Sequence, residues 1–374
     1  SFMNTIKKIG LTALGTTLVA SSAFAGELSV SGDAGYTWSM ETGGGSANPS
    51  LSGNGTNDGV GYNHDVSFSG SGELDNGWTV STGMTIVEDS SLSSSNVKLT
   101  MGSLGSITVG NGTGGIGASY DSVVPTAYEE NHDGMSTSTA IDNMGALLGN
   151  GGIDYRSPSF DVMGVSASFK YNYTPEASGA AVGEGGVSSS STEMASGQAL
   201  GVDLAMGGLA IGGFVAEVDV DSLGNVTTTT GRAQESASDI TAYVKYTAGP
   251  VSFGYQEGYI SRGHETSVAA ASPKYVSASG GTFETESMSV AFNVNENFSI
   301  SWGELTETYD YNTNNAAGRI TDIANVDMDS TSIQFAYTMG SMSIKGYQTD
   351  TDNPGWDNDA QSHEVTEIAV NFAF

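Results

Sequence analysis

From residue 26 onward one pattern recurs: apolar and polar residues alternate, position by position, in about sixteen segments separated by Gly, Asn, Asp and Ser. A period of two puts successive side chains on opposite faces of an extended strand. Leu28, Val30, Ala34, Tyr36 and Trp38 thus oppose Ser29, Ser31, Asp33 and Thr37, and Ile368, Val370, Phe372 and Phe374 oppose Glu367, Ala369 and Asn371. No stretch after residue 25 approaches the roughly 18 consecutive apolar residues of a membrane helix. Long helical periodicity is absent, so the chain is all-β.

Strand length and connection length decide what kind of β-protein this is. Soluble sandwich strands run about 5–6 residues; many of these segments are longer, as tilted membrane-crossing strands are. The face opposite the apolar one is polar and often charged: Asp33, Asp65, Lys98, Asp154, Arg156, Lys170, Asp203, Lys245 and Lys345. Tight turns, such as 75–77, 207–208 and 339–341, alternate with long polar loops at 41–60, 111–150, 175–197, 221–238, 262–280, 309–328 and 349–362. Short turns at one end and long loops at the other predict a transmembrane antiparallel β-barrel. The pair Gly212-Gly213 blurs the alternation and predicts a bulge or kink.

Residues 1–25 read as an upstream remnant plus a secretory signal. Lys7 and Lys8 form the charged region, Ile9 to Ala20 the apolar one, and Ala23-Phe24-Ala25 the cleavage site. Residues 26–374 then form a single barrel domain. Of 11 basic residues, Lys7 and Lys8 leave with the signal, so 9 face 42 acidic ones for a formal charge of −33. Phosphates would be repelled, which excludes nucleic acid as a partner and favours cations. Cysteine is absent, which removes disulfides and thiolate metal sites.

Three landmarks make the chain resemble the general bacterial outer-membrane porins, in particular their alphaproteobacterial branch. These are Gly26-Glu27-Leu28-Ser29-Val30-Ser31-Gly32-Asp33, Leu104-Gly105-Ser106-Ile107-Thr108-Val109-Gly110 and Tyr155-Arg156-Ser157-Pro158-Ser159-Phe160. The last looks like the strand and turn that follow an inward-folded third loop. The resemblance implies a homotrimer of sixteen-stranded barrels in the outer membrane, among lipid and lipopolysaccharide, each pore narrowed by that loop at about 111–150. It implies pore-constriction carboxylates at Asp121, Glu129, Glu130, Asp133 and Asp142. Pore-wall residues would be Lys98, Arg156, Asp33, Asp65 and Asp154. It also implies that Phe374 and Phe372 carry the signal read by the barrel-assembly machinery. Basic wall residues are few, which points to a negative pore that passes small hydrophilic solutes and prefers cations. The competing readings are a secreted β-rich adhesin and an outer-membrane barrel enzyme.

Other motifs carry less. Gly110-Asn111-Gly112-Thr113-Gly114-Gly115-Ile116-Gly117 has dinucleotide-type glycine spacing, but no helical pattern follows to hold a pyrophosphate. His64, His132, His264 and His363 lack metal-ligand spacing; only His132, beside Glu129, Glu130 and Asp133, has acidic company. No cofactor is required. Asp350, Asp352, Asp357 and Asp359 crowd one loop densely enough for Ca²⁺, with a solvated turn as the alternative.

Overall fold

The computed structural model describes residues 26–43, 57–87, 89, 91–112, 115–134, 141–175, 194–220, 237–261, 282–310, 325–358 and 360–374. The expected signal at 1–25 and Asp359 lie outside these. The strands are β1 (Leu28–Gly43), β2 (Asn57–Glu73), β3 (Thr79–Ile86), β4 (Leu92–Thr100), β5 (Ser106–Asn111), β6 (Ile153–Arg156), β7 (Phe160–Val162), β8 (Val165–Thr174) and β9 (Met194–Met206). They continue as β10 (Leu209–Val220), β11 (Ala237–Ala248), β12 (Val251–Ser261), β13 (Thr282–Asn295), β14 (Phe298–Asp310), β15 (Val326–Met339), β16 (Met342–Asp352) and β17 (His363–Ala373). Every pairing is antiparallel, and β6 and β7 both pair with β8 as two halves of one strand. The sheet therefore has sixteen staves, and it closes because β1 pairs with both β2 and β17. The closing register runs from Asp33 opposite Ala373 to Gly43 opposite His363. Every strand of the sheet thus has a neighbour on each side and no edge strand is left, the condition for a sheet in lipid.

The apolar face of the alternation points outward. Leu200, Val202, Leu204 and Met206 on β9, Val290, Phe292 and Val294 on β13, Ile300 and Trp302 on β14, and Ile333 on β15 are all exposed. Neighbouring strands thus share a continuous apolar band, far larger than water tolerates on a soluble protein. No helix among the described residues is long and apolar enough to cross a membrane; the crossing elements are the strands.

Three local features depart from the sequence reading. Pro158 has no N–H for the ladder and interrupts a strand rather than turning it. Ser157 bridges the gap: its N–H donates to the Phe169 carbonyl at 2.9 Å, and its Oγ accepts from the Phe169 N–H at 2.9 Å. The turn itself comes at Met163 (φ 58°) and Gly164 (φ 86°), two consecutive left-handed residues, as a two-residue hairpin requires. No bulge occurs at Gly212-Gly213, which pair in step with Asp203 and Val202; the register breaks between Val218 and Val220. Gly212 instead leaves room for the Tyr243 ring, which any Cβ there would strike.

The interior is also less uniformly polar than the alternation predicts. Phe214, Ala216 and Val218 of β10 are buried on the inner face, with Ile260, Phe283, Leu305 and Met328 from β12 to β15. Trp356, in the connection between β16 and β17, packs on Phe283 (5.2 Å between ring centroids) and Tyr309 (5.3 Å). Asp357 is buried, while Asp350 and Asp352 near the end of β16 are exposed. No metal-holding group of His, Asp or Glu occurs among the described residues.

At the seam, the Phe374 N–H donates to the Gly32 carbonyl and the Gly32 N–H to the Phe374 carbonyl, both at 2.9 Å. A Cβ on Gly32 would lie 2.9 Å from the Phe374 ring. Gly32→Val is therefore expected to lower the melting temperature of the folded barrel, since overpacking costs about 1–3 kcal/mol. The mobility shift on heating in detergent gels reads this directly, and an unchanged transition would remove the seam contact from the account.

Candidate pore constriction

The described residues between β5 and β6 do not extend away from the barrel. Its described parts, 115–134 and 141–152, lie against the inner face, and Ile116, Tyr120, Ile141, Met144 and Leu148 join the buried apolar cluster there. Four inward-facing glycines make the approach possible. Gly201 underlies Tyr120, Gly254 underlies Pro125, Gly258 underlies Ile141, and Gly303 underlies Asn131; a Cβ at any of them would overlap the segment.

Two buried glutamines hold the segment by its backbone. Gln256 of β12 accepts from the Val123 N–H (3.0 Å) and donates to the Tyr120 (2.8 Å) and Asp121 carbonyls. Gln334 of β15 accepts from the Tyr128 (2.9 Å) and Glu129 (3.0 Å) N–H groups and donates to the Glu129 (2.8 Å) and Glu130 (3.1 Å) carbonyls. A primary amide suits this task because it donates and accepts side by side, as a peptide group does. Between the two glutamines, Ser301 Oγ accepts from the Ala127 N–H (2.8 Å) and Ser289 Oγ donates to the Pro125 carbonyl (2.6 Å). Farther along, the Gly145 N–H donates to Asp239 Oδ2 (2.7 Å).

Tyr120 is fully buried, and its hydroxyl donates to Asp203 Oδ2 at 2.9 Å. Asp203 also accepts from Tyr243 (2.8 Å) and from Lys170 Nζ (2.6 Å), which lies 4.3 Å from the Tyr120 ring centre. Burial first, then the Asp203 charge, pushes the Tyr120 phenol far above its ordinary range. Arg156 donates to Ser119 Oγ (3.2 Å) and the Gly115 carbonyl (3.4 Å). Asp154 is buried and accepts from Asn172 Nδ2 at 2.6 Å. Asp33 and Asp65 sit directly opposite each other on β1 and β2, and Lys98 is half-buried on β4.

All five expected carboxylates are carried by this segment. Asp121 is raised to about 6, by burial first and then by the charges of Asp142 and Glu130. Glu129 is raised to about 7, by burial first and then by Asp133, Glu130 and Glu367, against the opposing charge of Lys345. These mutual effects mean the carboxylates share one field rather than being scattered. His132 is buried, and its Nε2 lies 2.8 Å from Asp142 Oδ2, tying the two described parts of the segment together. Burial lowers the His132 pKa, but the Asp142 hydrogen bond and charge, with Glu130 and Glu307, outweigh it and leave the imidazole above its ordinary value.

Replacing Gln334 with Leu strands two backbone donors and two carbonyls, at roughly 1–3 kcal/mol for each orphaned group. The expected outcome is a loosened segment, read in planar bilayers as larger unitary conductance with added open-channel noise. Wild-type conductance and noise in Gln334→Leu would show that the clamp does not set the aperture.

No protein-family model matches the chain, and neither does any curated protein sequence. Solved structures do match. The chain is similar to Salmonella typhi OmpF in complex with daunomycin (TM-score 0.66, 11% identity, covering 94% of this chain and 98% of that one). It is also similar to the anion-selective porin from Comamonas acidovorans (0.58, 12%, 93% and 100%). The outer membrane channel DcaP of Acinetobacter baumannii matches as well (0.56, 11%, 94% and 98%). At such identities the likeness is one of fold. The chain adopts the bacterial porin fold, a closed antiparallel barrel of sixteen strands over almost its whole length.

Proposed function

We propose that the protein is a passive channel of a Gram-negative outer membrane, water-filled, with a preference for cations. The observation that carries this reading is the acidic segment. Asp121, Glu129, Glu130, Asp133 and Asp142 belong to a segment whose backbone is hydrogen-bonded by Gln256 and Gln334, while Lys170 and Arg156 are engaged by Asp203 and by Ser119 and Gly115. Carboxylates lining a narrow aqueous path between low-dielectric walls attract cations and repel anions. Similarity to one porin described as anion-selective indicates that the fold does not fix the sign; the charges must. Diffusion through such a path needs no catalytic residue, and its solutes are small and hydrophilic.

The same reading extends to assembly. The apolar outer band suits the hydrocarbon core, with lipopolysaccharide in the outer leaflet and a homotrimer as the expected state. Phe372 and Phe374 are exposed beside the seam, where assembly machinery could engage them.

Reversal potentials across a KCl gradient test the central claim. Cation preference is expected, and anion preference would falsify it. The preference should also depend on pH. At pH 8 both Glu129 and Asp121 are ionised; acidification through about 7 and then about 6 protonates them in turn. Protonation of a carboxylate removes negative charge, so selectivity declines as the pH falls through this window. The double variant Glu129→Gln, Asp121→Asn should lack that step, and a step of wild-type size in it would assign the titration elsewhere.

A further inference from the structure

The outer face of β13 to β17 is not smooth. Cross-strand register sets its side chains in rows. Phe292, Ile300, Phe335, Gly346 and Ile368 oppose one another in turn, and the row nearer the long connections runs Val290, Trp302, Ile333, Gln348 and Thr366. In the first row β16 contributes no side chain. The Phe335 ring lies over Gly346 instead, where a Cβ would come within 2.7 Å of it. A groove of about 600 Å³ results, with Val290, Trp302, Ile333 and Ile368 among its apolar walls and Gln348 and Thr366 at its polar end. That volume falls within the range of small-molecule sites, roughly 300–1,000 Å³.

The next row beyond that polar end is acidic. Glu304, Thr331, Asp350 and Glu364 stand in register, two residues farther along each strand, a rise of about 7 Å. Asp350 is directly opposite Glu364, and one row on Asp329 is directly opposite Asp352. Like charges so placed on one face of a sheet repel. Gln348 Nε2 donates to Glu364 Oε1 at 3.1 Å and Thr306 Oγ1 to Asp329 Oδ1 at 2.6 Å, but both donors are neutral and leave the negative charge in place. No described lysine or arginine occurs in these rows; Lys345 of the same strand points the other way, over the Tyr128 ring. A headgroup bearing only phosphate meets carboxylates here with nothing basic to receive it. An apolar groove with an acidic border at one end instead complements an amphiphile with a positive head.

Resting on the outer-membrane reading above, we propose that this groove is a lipid-binding site. It takes one acyl chain, and Glu304, Asp350 and Glu364 receive a headgroup whose amines give it net positive charge. The bound lipid supplies the cation that the opposed carboxylates lack on this face.

The test uses the full chain in detergent, with retained lipid read by native mass spectrometry. Lysyl-phosphatidylglycerol is the probe. Phosphatidylglycerol and phosphatidylcholine with the same acyl chains are the controls, each offered in EDTA and again in calcium. The lysyl lipid is expected to be retained about tenfold more strongly than phosphatidylcholine, the factor expected from three partly exposed ion pairs, and phosphatidylglycerol less than either. The triple variant Glu304→Gln, Asp350→Asn, Glu364→Gln should lose that preference. Thr366→Trp, which sets a ring at the mouth of the groove and leaves every carboxylate in place, should lower retention of the lysyl lipid and serves where the triple variant fails to fold. Equal retention of the three lipids, or wild-type retention in either variant, would overturn the site. Calcium-dependent retention of phosphatidylglycerol above the lysyl lipid would also overturn it, in favour of phosphate bridged by a divalent cation. Insertion into liposomes and salt conductance in planar bilayers report on the outer-membrane channel reading separately.

Discussion

Everything in this molecule depends on the pairing of β1 with β17. A sheet surrounded by hydrocarbon has no water to satisfy a free edge, so each unpaired N–H or C=O costs several kcal/mol. The seam removes the edge by joining residues more than three hundred positions apart, Asp33 to Ala373 at one end and Gly43 to His363 at the other. Once the ring is closed, its inner face becomes a surface of fixed curvature, and the segment between β5 and β6 can be bound to it. The curvature also explains the inward-facing glycines. A backbone lying along the wall comes closer than a side chain on that wall would permit.

The closed ring divides the polar chemistry into two kinds. Lys170, Asp203, Tyr120 and Tyr243 form a network in which the carboxylate has three donors. Such a network is saturated and serves as a fastening. Asp121 and Glu129 are different: burial first, and then neighbouring carboxylates of the same charge, push their carboxyl groups above the ordinary range. One group of charges is arranged to hold; in the proposed channel, the other acts on what passes.

Much of this was legible in the sequence because a period of two is a strong signal when it recurs. The barrel class and the short and long connections followed from it; the acidic segment at about 111–150 came from the resemblance to porins. The apolar part of the interior did not. Phe214, Ala216 and Val218 alternate with Val215 and Glu217, so both faces of β10 carry apolar residues and periodicity cannot say which faces inward. Gln256 and Gln334 were not singled out, because an amide becomes a clamp only when a peptide group is brought against it, and that partner lies more than a hundred residues away. The stretch around Pro158 was read by resemblance as strand and turn; here Ser157 takes over the pairing at the break. The aromatic packing of Trp356 on Phe283 and Tyr309 joins a loop to two strands distant in sequence, which no local window could reveal.

The clamps have a further consequence. Gln256 and Gln334 grip peptide N–H and C=O groups, which every residue but proline presents identically. The side chains at 121, 129 and 130 take no part in those hydrogen bonds. Attachment and the proposed filtering are therefore chemically independent. On that reading, the charge displayed to passing solutes can be rewritten, one residue at a time, by substitutions that leave the fastening intact. A barrel built this way could change what it admits without first having to become less stable.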